Sequence, residues 1–244
     1  MIPAYEKDST TQVKPWYSYK GGTANPSLPS YFDNTGWSWI TDGEKQFSVF
    51  RDEIESLITK KTGVVEPYFH TSLVQQGKWE VVNFIFWSKR NQENCSACPQ
   101  LTKWLDTIPG ITTAGVSRLS PGAEIKPHIG DTNMIARCHL GLIIPAGLPL
   151  CGIQVNGEER AWQEGKFTVF CDAYEHSAWN KTDSYRYVLI VDVVLPRFAH
   201  KKKQIAANVQ SFLKLQELME RRPWVNKLPG PVLGVIRHYF KYLS

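Results

Sequence analysis

Apolar residues recur at two different periods along this chain. Over residues 44–62, Phe47, Phe50, Ile54, Leu57 and Ile58 fall three or four apart, which predicts an amphipathic helix stopped by Gly63. From about Glu80 onward the pattern changes to short β-branched and aromatic runs at 80–87, 113–119, 135–144, 152–155, 166–170 and 185–194. Turn residues punctuate them at Pro121-Gly122, Pro145-Ala146-Gly147, Asn156-Gly157 and Glu164-Gly165, so these runs read as strands. One helix, 99–108, is expected to interrupt the series. Helical spacing returns at 201–222, where Ile205, Val209, Phe212, Leu213 and Met219 mark an apolar side and Pro223 ends it. A second, shorter helix is expected in VLGVIRHYFKYLS. Many short strands with turn signals predict a mainly β fold, a sandwich or double-sheet jelly roll, with flanking helices. Residues 1–36 have no clean period and read as an irregular arm pinned by Trp16 and Tyr17. The expected organisation is an arm and helix over 1–79, a β core over 80–198 and a helical extension over 199–244.

Composition adds limits rather than an identity. The chain has 244 residues, of which 42% are hydrophobic and 12% aromatic, enough to bury a core and to exclude a disordered protein. No run approaches the ~18–20 apolar residues of a membrane span. The opening MIPAYEKDSTTQ lacks the apolar segment of a secretory signal. Five cysteines, an odd number, do not describe a disulfide framework, so a reducing, cytoplasmic compartment is expected. Cys95 and Cys98 form a Cys-x-x-Cys without the second pair a zinc ribbon needs; a loop pair at the 99–108 helix is the favoured reading, and a redox disulfide stays open. Cys138, Cys151 and Cys171 read as core residues.

The candidate chemistry lies on the predicted strands. His128 ends a short strand in SPGAEIKPHIGDTN, and His176 follows 48 residues later in FCDAYEHSAWN. Two imidazoles with open positions beside them suit non-haem Fe(II), but the carboxylate expected two residues after the first histidine is replaced by Gly130. Arg137 and His139 are i, i+2 on one strand and share a face; Cys138, Leu140, Leu142 and Ile144 make the other face apolar. Arg186 sits in an otherwise hydrophobic strand. A buried guanidinium needs an anion, either a dicarboxylate ligand such as 2-oxoglutarate or an internal partner, for instance Asp192 for Arg186.

At this point the segment 117–197 resembles the aspartyl/asparaginyl β-hydroxylase family of Fe(II)/2-oxoglutarate oxygenases. The matching pieces are SRLSPGAEIKPHIGDTN, ARCHLGLIIP, WQEGKFTVFCDAYEHSAWN and YRYVLIVDVVLPRF, in order over about a third of the chain. The resemblance implies a double-stranded β-helix (jelly-roll, cupin-like) core and iron held by two histidines, with glycine in the place of the usual aspartate. Carried over, His128 and His176 would bind Fe(II). Arg186 would hold the distal carboxylate of 2-oxoglutarate, Arg137 and His139 would sit near its C1 carboxylate, and Ser117 would add a weaker hydrogen bond. Asn133 and Trp179 also match and are given supporting or packing roles. The implied reaction uses O2 and gives succinate and CO2 while hydroxylating an unactivated C–H, and two protein ligands imply weak iron affinity.

Two function classes follow: such an enzyme, or a non-catalytic jelly-roll module that binds a ligand or partner. The joint presence of both histidines and both arginines favours the enzyme. The expected substrate is a small molecule, of amino-acid or lipid acyl type; a peptidyl Asp/Asn hydroxylase is the alternative, and no nucleic-acid partner is expected. Charge then adds a local feature. The total of +5 divides into a net −3 over residues 1–196 and a net +8 over 197–244, where 10 basic side chains face two acidic ones. Val235, Ile236, Tyr239, Phe240 and Leu243 alternate there with Arg237, His238 and Lys241. A helix docked on the barrel is the favoured reading of this tail, and peripheral contact with an anionic membrane is the other.

Overall fold

The computed structural model describes residues 14–17, 22–25 and 28–242. It contains twelve strands and five α-helices among them. The strands are β1 (Glu66–Pro67), β2 (Val74–Gln76), β3 (Trp79–Phe86), β4 (Lys89–Arg90), β5 (Ile111–Leu119), β6 (Ala123–His128), β7 (Ile135–Ile143), β8 (Cys151–Val155), β9 (Glu158–Arg160), β10 (Phe167–Phe170), β11 (His176–Asn180) and β12 (Arg186–Val194). The helices are α1 (Ser38–Lys60), α2 (Gln92–Ala97), α3 (Pro99–Leu105), α4 (Lys202–Arg221) and α5 (Gly230–Tyr242).

The strands form two antiparallel sheets. The larger runs β1-β3-β5-β12-β7-β10, with β4 beside β3, and the smaller runs β2-β6-β11-β8-β9. Strands adjacent in space are mostly distant in sequence, the crossover pattern of a jelly roll. Period-two alternation sorts the large sheet's side chains into two cores. Leu119, Phe170 and Val188 face the small sheet and pack with Ile125, Ile153, Val155 and Ala178. Val116, Cys138, Leu140, Leu189 and Val191 face the other way, against Phe50 and Ile54 of α1, Trp104 of α3 and Ile205 and Val209 of α4. The molecule therefore has three layers: small sheet, large sheet, helices.

Helix α1 starts six residues before the sequence-based boundary, because its first turn is held by aromatic packing. Trp39 lies 6.0 Å from Trp104 and 5.8 Å from Phe167, and the Trp104 indole donates to the Trp39 carbonyl at 2.9 Å. Glu53 of α1 accepts from the amides of Gln100 and Leu101, satisfying the open N-terminus of α3. Strand pairing also begins before residue 80, since β1 and β2 each join a sheet edge. The expected arm is anchored where it is described. Thr132 donates to the Trp16 carbonyl, and Asn133 both accepts from the Trp16 amide and donates to the Lys14 carbonyl. Residues 1–13 and Leu243 lie outside the described residues. All five cysteines are free buried thiols; Cys98, at the start of α3, is pushed up to about 12 by burial.

Candidate active site

The residues with chemistry lie on the inner face of the large sheet and the adjoining end of the small one. Arg186, Val188, Ile190 and Asp192 alternate along β12, and Arg137 and His139 do the same on β7, which pairs with it. In the small sheet His128 ends β6 and His176 begins β11, where the two are cross-strand partners. His176 therefore opens a strand of its own, one that the sequence pattern did not resolve.

The two imidazole rings are 4.2 Å apart between centroids. Each is fixed the same way: His128 Nδ1 lies 2.9 Å from the Lys126 carbonyl and His176 Nδ1 lies 2.9 Å from the Tyr174 carbonyl. A carbonyl only accepts, so each Nδ1 carries the hydrogen and each Nε2 presents a lone pair. Burial, then the neighbouring imidazole, lowers His128 to about 3; burial, then the Arg137 charge, lowers His176 to about 4. Both rings are thus neutral and ligand-ready near pH 7, with backbone partners of the kind that orient metal-binding histidines.

This depression has a measurable cost to the fold. Below about pH 6.5 the unfolded chain binds protons that the folded sites refuse, so stability is lost as pH falls from 6.5 towards about 4. For the metal-free protein, denaturation at pH 7 and pH 5 is expected to show wild type losing about 2 kcal/mol more than His176→Gln. Equal losses in the two proteins would contradict this assignment of the proton.

Gly130 has a structural reason. A Cβ placed there would lie 1.7 Å from Asp172 Oδ2 and 2.3 Å from its Cγ. Asp172 thus occupies the space that a side chain two residues after His128 would need, with Oδ1 3.5 Å from His176 Nε2. Gly130 closes the contact by donating its amide to the Asp172 carbonyl at 2.8 Å. Asp172 was not singled out from the sequence, although it sits four residues before His176; its only signal was a carboxylate in a buried stretch.

The two arginines differ. Arg137 reaches Asp172 Oδ1 at 2.7 Å and grips both oxygens of Asp192, at 2.8 and 2.9 Å. Its charge is balanced inside the protein, so the argument that it needs an external anion does not hold for it. Asp192, offered by the sequence as a partner for Arg186, is taken by Arg137. Arg186 is fully buried and has no carboxylate partner among the described residues. Its Nη1 donates to the Ser117 carbonyl at 3.0 Å and to Ser117 Oγ at 3.3 Å; its Nε has no partner among the described residues, and Trp162 lies under the guanidinium at 4.6 Å. Burial pulls it down to about 10, a mark of an uncompensated cation. Ser117 Oγ also accepts from the Trp79 indole at 3.0 Å, which leaves the hydroxyl hydrogen available to donate.

His139 has the opposite tautomer to the other two. The Trp162 indole, a donor only, lies 3.2 Å from His139 Nδ1, so Nδ1 accepts and Nε2 carries the hydrogen. That buried Nε2–H has no partner among the described residues. Trp162 therefore orients both Arg186 and His139, a role the sequence did not reveal. Two buried donors without acceptors among the described residues, on one face of paired strands, fit a carboxylate ligand. Two facing imidazole lone pairs could hold a metal ion between them, although no group of three His, Cys, Asp or Glu side chains is arranged to do so among the described residues. Trp179, by contrast, donates to the Pro149 carbonyl and serves packing.

A cavity of about 350 Å3 opens over His128, Gly130, Asp131 and Arg137. Tyr68, His70 and Gln216 on its wall also line a second groove of about 520 Å3 bounded by Phe69, Val81, Phe86 and Leu213. His70, unassigned from sequence, meets Gln216 of α4 at 2.7 Å between the two. The site thus continues into a trough between β3 and α4.

Comparison with known proteins gives consistent matches. The family described as aspartyl/asparaginyl beta-hydroxylase matches residues 44–196. An ornithine lipid ester-linked acyl 2-hydroxylase of Rhizobium tropici is 32% identical over 82% of this chain and 74% of its own length. The human aspartyl/asparaginyl beta-hydroxylase is 29% identical over 79% of this chain, which spans only 24% of that protein. Among solved structures, a prolyl-4-hydroxylase of Pseudomonas putida aligns with a TM-score of 0.42 and 14% identity over 62% of this chain and 86% of that one.

Proposed function

This chain belongs to the aspartyl/asparaginyl β-hydroxylase family, and from that premise we propose that it is an Fe(II)/2-oxoglutarate-dependent hydroxylase acting on an unactivated C–H bond of an acyl chain. The observation that carries the cofactor assignment is Arg186, a fully buried cation with no carboxylate partner among the described residues, on the same sheet face as an imidazole N–H that also has no partner among them. A dicarboxylate supplies what both lack. His128 and His176 would hold the iron through Nε2, and Arg186 and His139, with the Ser117 hydroxyl, would hold 2-oxoglutarate. Bound together, metal and cosubstrate supply the activation of O2, with succinate and CO2 as coproducts. The chain's own residues do the rest. Arg137 braces Asp172 against Asp192 and so fixes the carboxylate next to His176. The backbone carbonyls of Lys126 and Tyr174 hold both imidazole tautomers, and Phe170, 5.4 Å from His176, walls off water.

The trough favours an acyl substrate over an amino acid. Phe69, Val81, Phe86 and Leu213 give it an apolar floor, flanked by charged side chains of α4, and it joins the mouth of the site through Tyr68 and His70. The relative from Rhizobium tropici is named for hydroxylating an ester-linked acyl chain, which agrees with this reading. Iron- and 2-oxoglutarate-dependent succinate release should rise on adding acyl lipids and be lost in His176→Ala. Full turnover in that variant would sink the assignment, and stimulation by Asp-containing peptides alone would favour the peptidyl alternative. Placing a charge in the trough with Phe86→Asp is expected to raise KM for a long-chain substrate about tenfold, from the lost burial of apolar surface, and to leave KM for 2-oxoglutarate unchanged. An unchanged long-chain KM would put the substrate elsewhere.

A further inference from the structure

Helix α5 carries two apolar sides, and among the described residues only one is covered. Leu233, Ile236 and Phe240 pack against Leu215, Met219 and Val225. Arg237 lies over Phe212 of α4 at 4.3 Å. The adjacent stripe, Val232, Val235, Tyr239 and Tyr242, is spaced three or four residues apart and is 42%, 70%, 61% and 81% exposed. Trp224, in the turn joining α4 to α5, is 62% exposed. Arg222 and Lys227 are exposed on either side of it. The trough described above ends at Glu220 and Arg221, the last turn of α4, immediately before this turn.

We propose that this surface docks the protein on an anionic lipid bilayer, with α5 lying in the plane of the interface and Trp224 and the exposed stripe entering the acyl boundary. Charge selects this occupant. The extension carries a net +8 against −3 for residues 1–196, so a second copy presenting the same face would bring like charge to like charge. An anionic bilayer meets both features at once, taking the aromatic and aliphatic stripe into its boundary and the cations among its headgroups. At 13 residues α5 is too short to cross a bilayer, which takes about 20. Docking here would also bring the end of the trough near lipid. The proposal does not depend on the hydroxylase assignment.

The test is co-sedimentation of the full chain with phosphatidylcholine vesicles containing phosphatidylglycerol, against phosphatidylcholine alone. Binding is expected only with the anionic lipid, weakening as salt is raised. Two variants keep the test decisive. Arg222→Gln with Lys227→Gln is expected to bind roughly 25-fold more weakly, about fivefold for each cation removed beside an anionic surface. Val235→Ser with Tyr239→Ser is expected to bind more weakly while keeping the wild-type unfolding midpoint. If the second pair disturbs folding, the charge pair, which alters only solvated side chains, still decides. Absence of binding, equal binding to both vesicles, or undiminished binding by the charge pair overturns the proposal. So does a dimer in sedimentation equilibrium that the Val235/Tyr239 variant abolishes, since the stripe would then belong to a second copy. Turnover of a dispersed short-chain substrate should be unchanged in both variants, so a failure of docking is distinguishable from a failure of the hydroxylase reading.

Discussion

Arg186→Met is expected to make the protein more stable and inactive. The guanidinium is fully buried, lacks a carboxylate partner and leaves Nε without an acceptor among the described residues. Holding a cation there costs the fold several kcal/mol that an apolar side chain of similar length does not. Urea denaturation of the variant without cosubstrate should show a gain of about 2 kcal/mol, and its Tm should rise by roughly 5 °C. The same change removes the grip on a carboxylate, so kcat/KM for 2-oxoglutarate should fall about 100-fold or more. Addition of 2-oxoglutarate should raise the Tm of wild type and not of the variant. A destabilised Arg186→Met protein that still responds to 2-oxoglutarate would mean that Arg186 serves the fold rather than the ligand.

Gly130→Asp, which writes the usual His-x-Asp pattern into the chain, is expected to cost about 3–5 kcal/mol rather than improve the site. The new Cβ would sit 1.7 Å from Asp172 Oδ2, and a second carboxylate would enter a pocket that already holds one. Adding Asp172→Ala should recover more than half of the loss, because the two positions compete for one space and their effects cannot add. A Gly130→Asp protein as stable as wild type would show that Asp172 can leave this position at little cost, and that it is not what keeps a side chain out of position 130.

These two predictions also mark how far the sequence could be read. Alternation along β7 put Arg137 and His139 on one face and Cys138, Leu140 and Leu142 on the other, and the structure has that arrangement; Ile144, placed with them, lies beyond the end of β7 and packs in the other core. The helix boundaries at Gly63 and Pro223 fell within a few residues of α1 and α4, because glycine and proline act locally. Where the reading failed, the cause was long range. Helix α1 begins early because Trp39 finds Trp104 and Phe167, residues far away in sequence. Strand β11 was missed because its five residues have no period of their own and are held by β6 on one side and β8 on the other.

The sequence by itself determined the layers, since period-two and helical spacing decide which side chains are buried together, and its ordered motifs pointed to the two histidines and Arg186. It could not decide which charges pair. Arg137 and Arg186 look alike as buried strand arginines, and only sheet register places Asp192 opposite Arg137 and leaves Arg186 beside Ser117 and Trp162. Nor could it say why Gly130 is glycine, since the carboxylate that excludes a side chain arrives from 42 residues away. Pairing and exclusion depend on distances between strands remote in the chain. Those distances exist only after the two sheets have closed on each other.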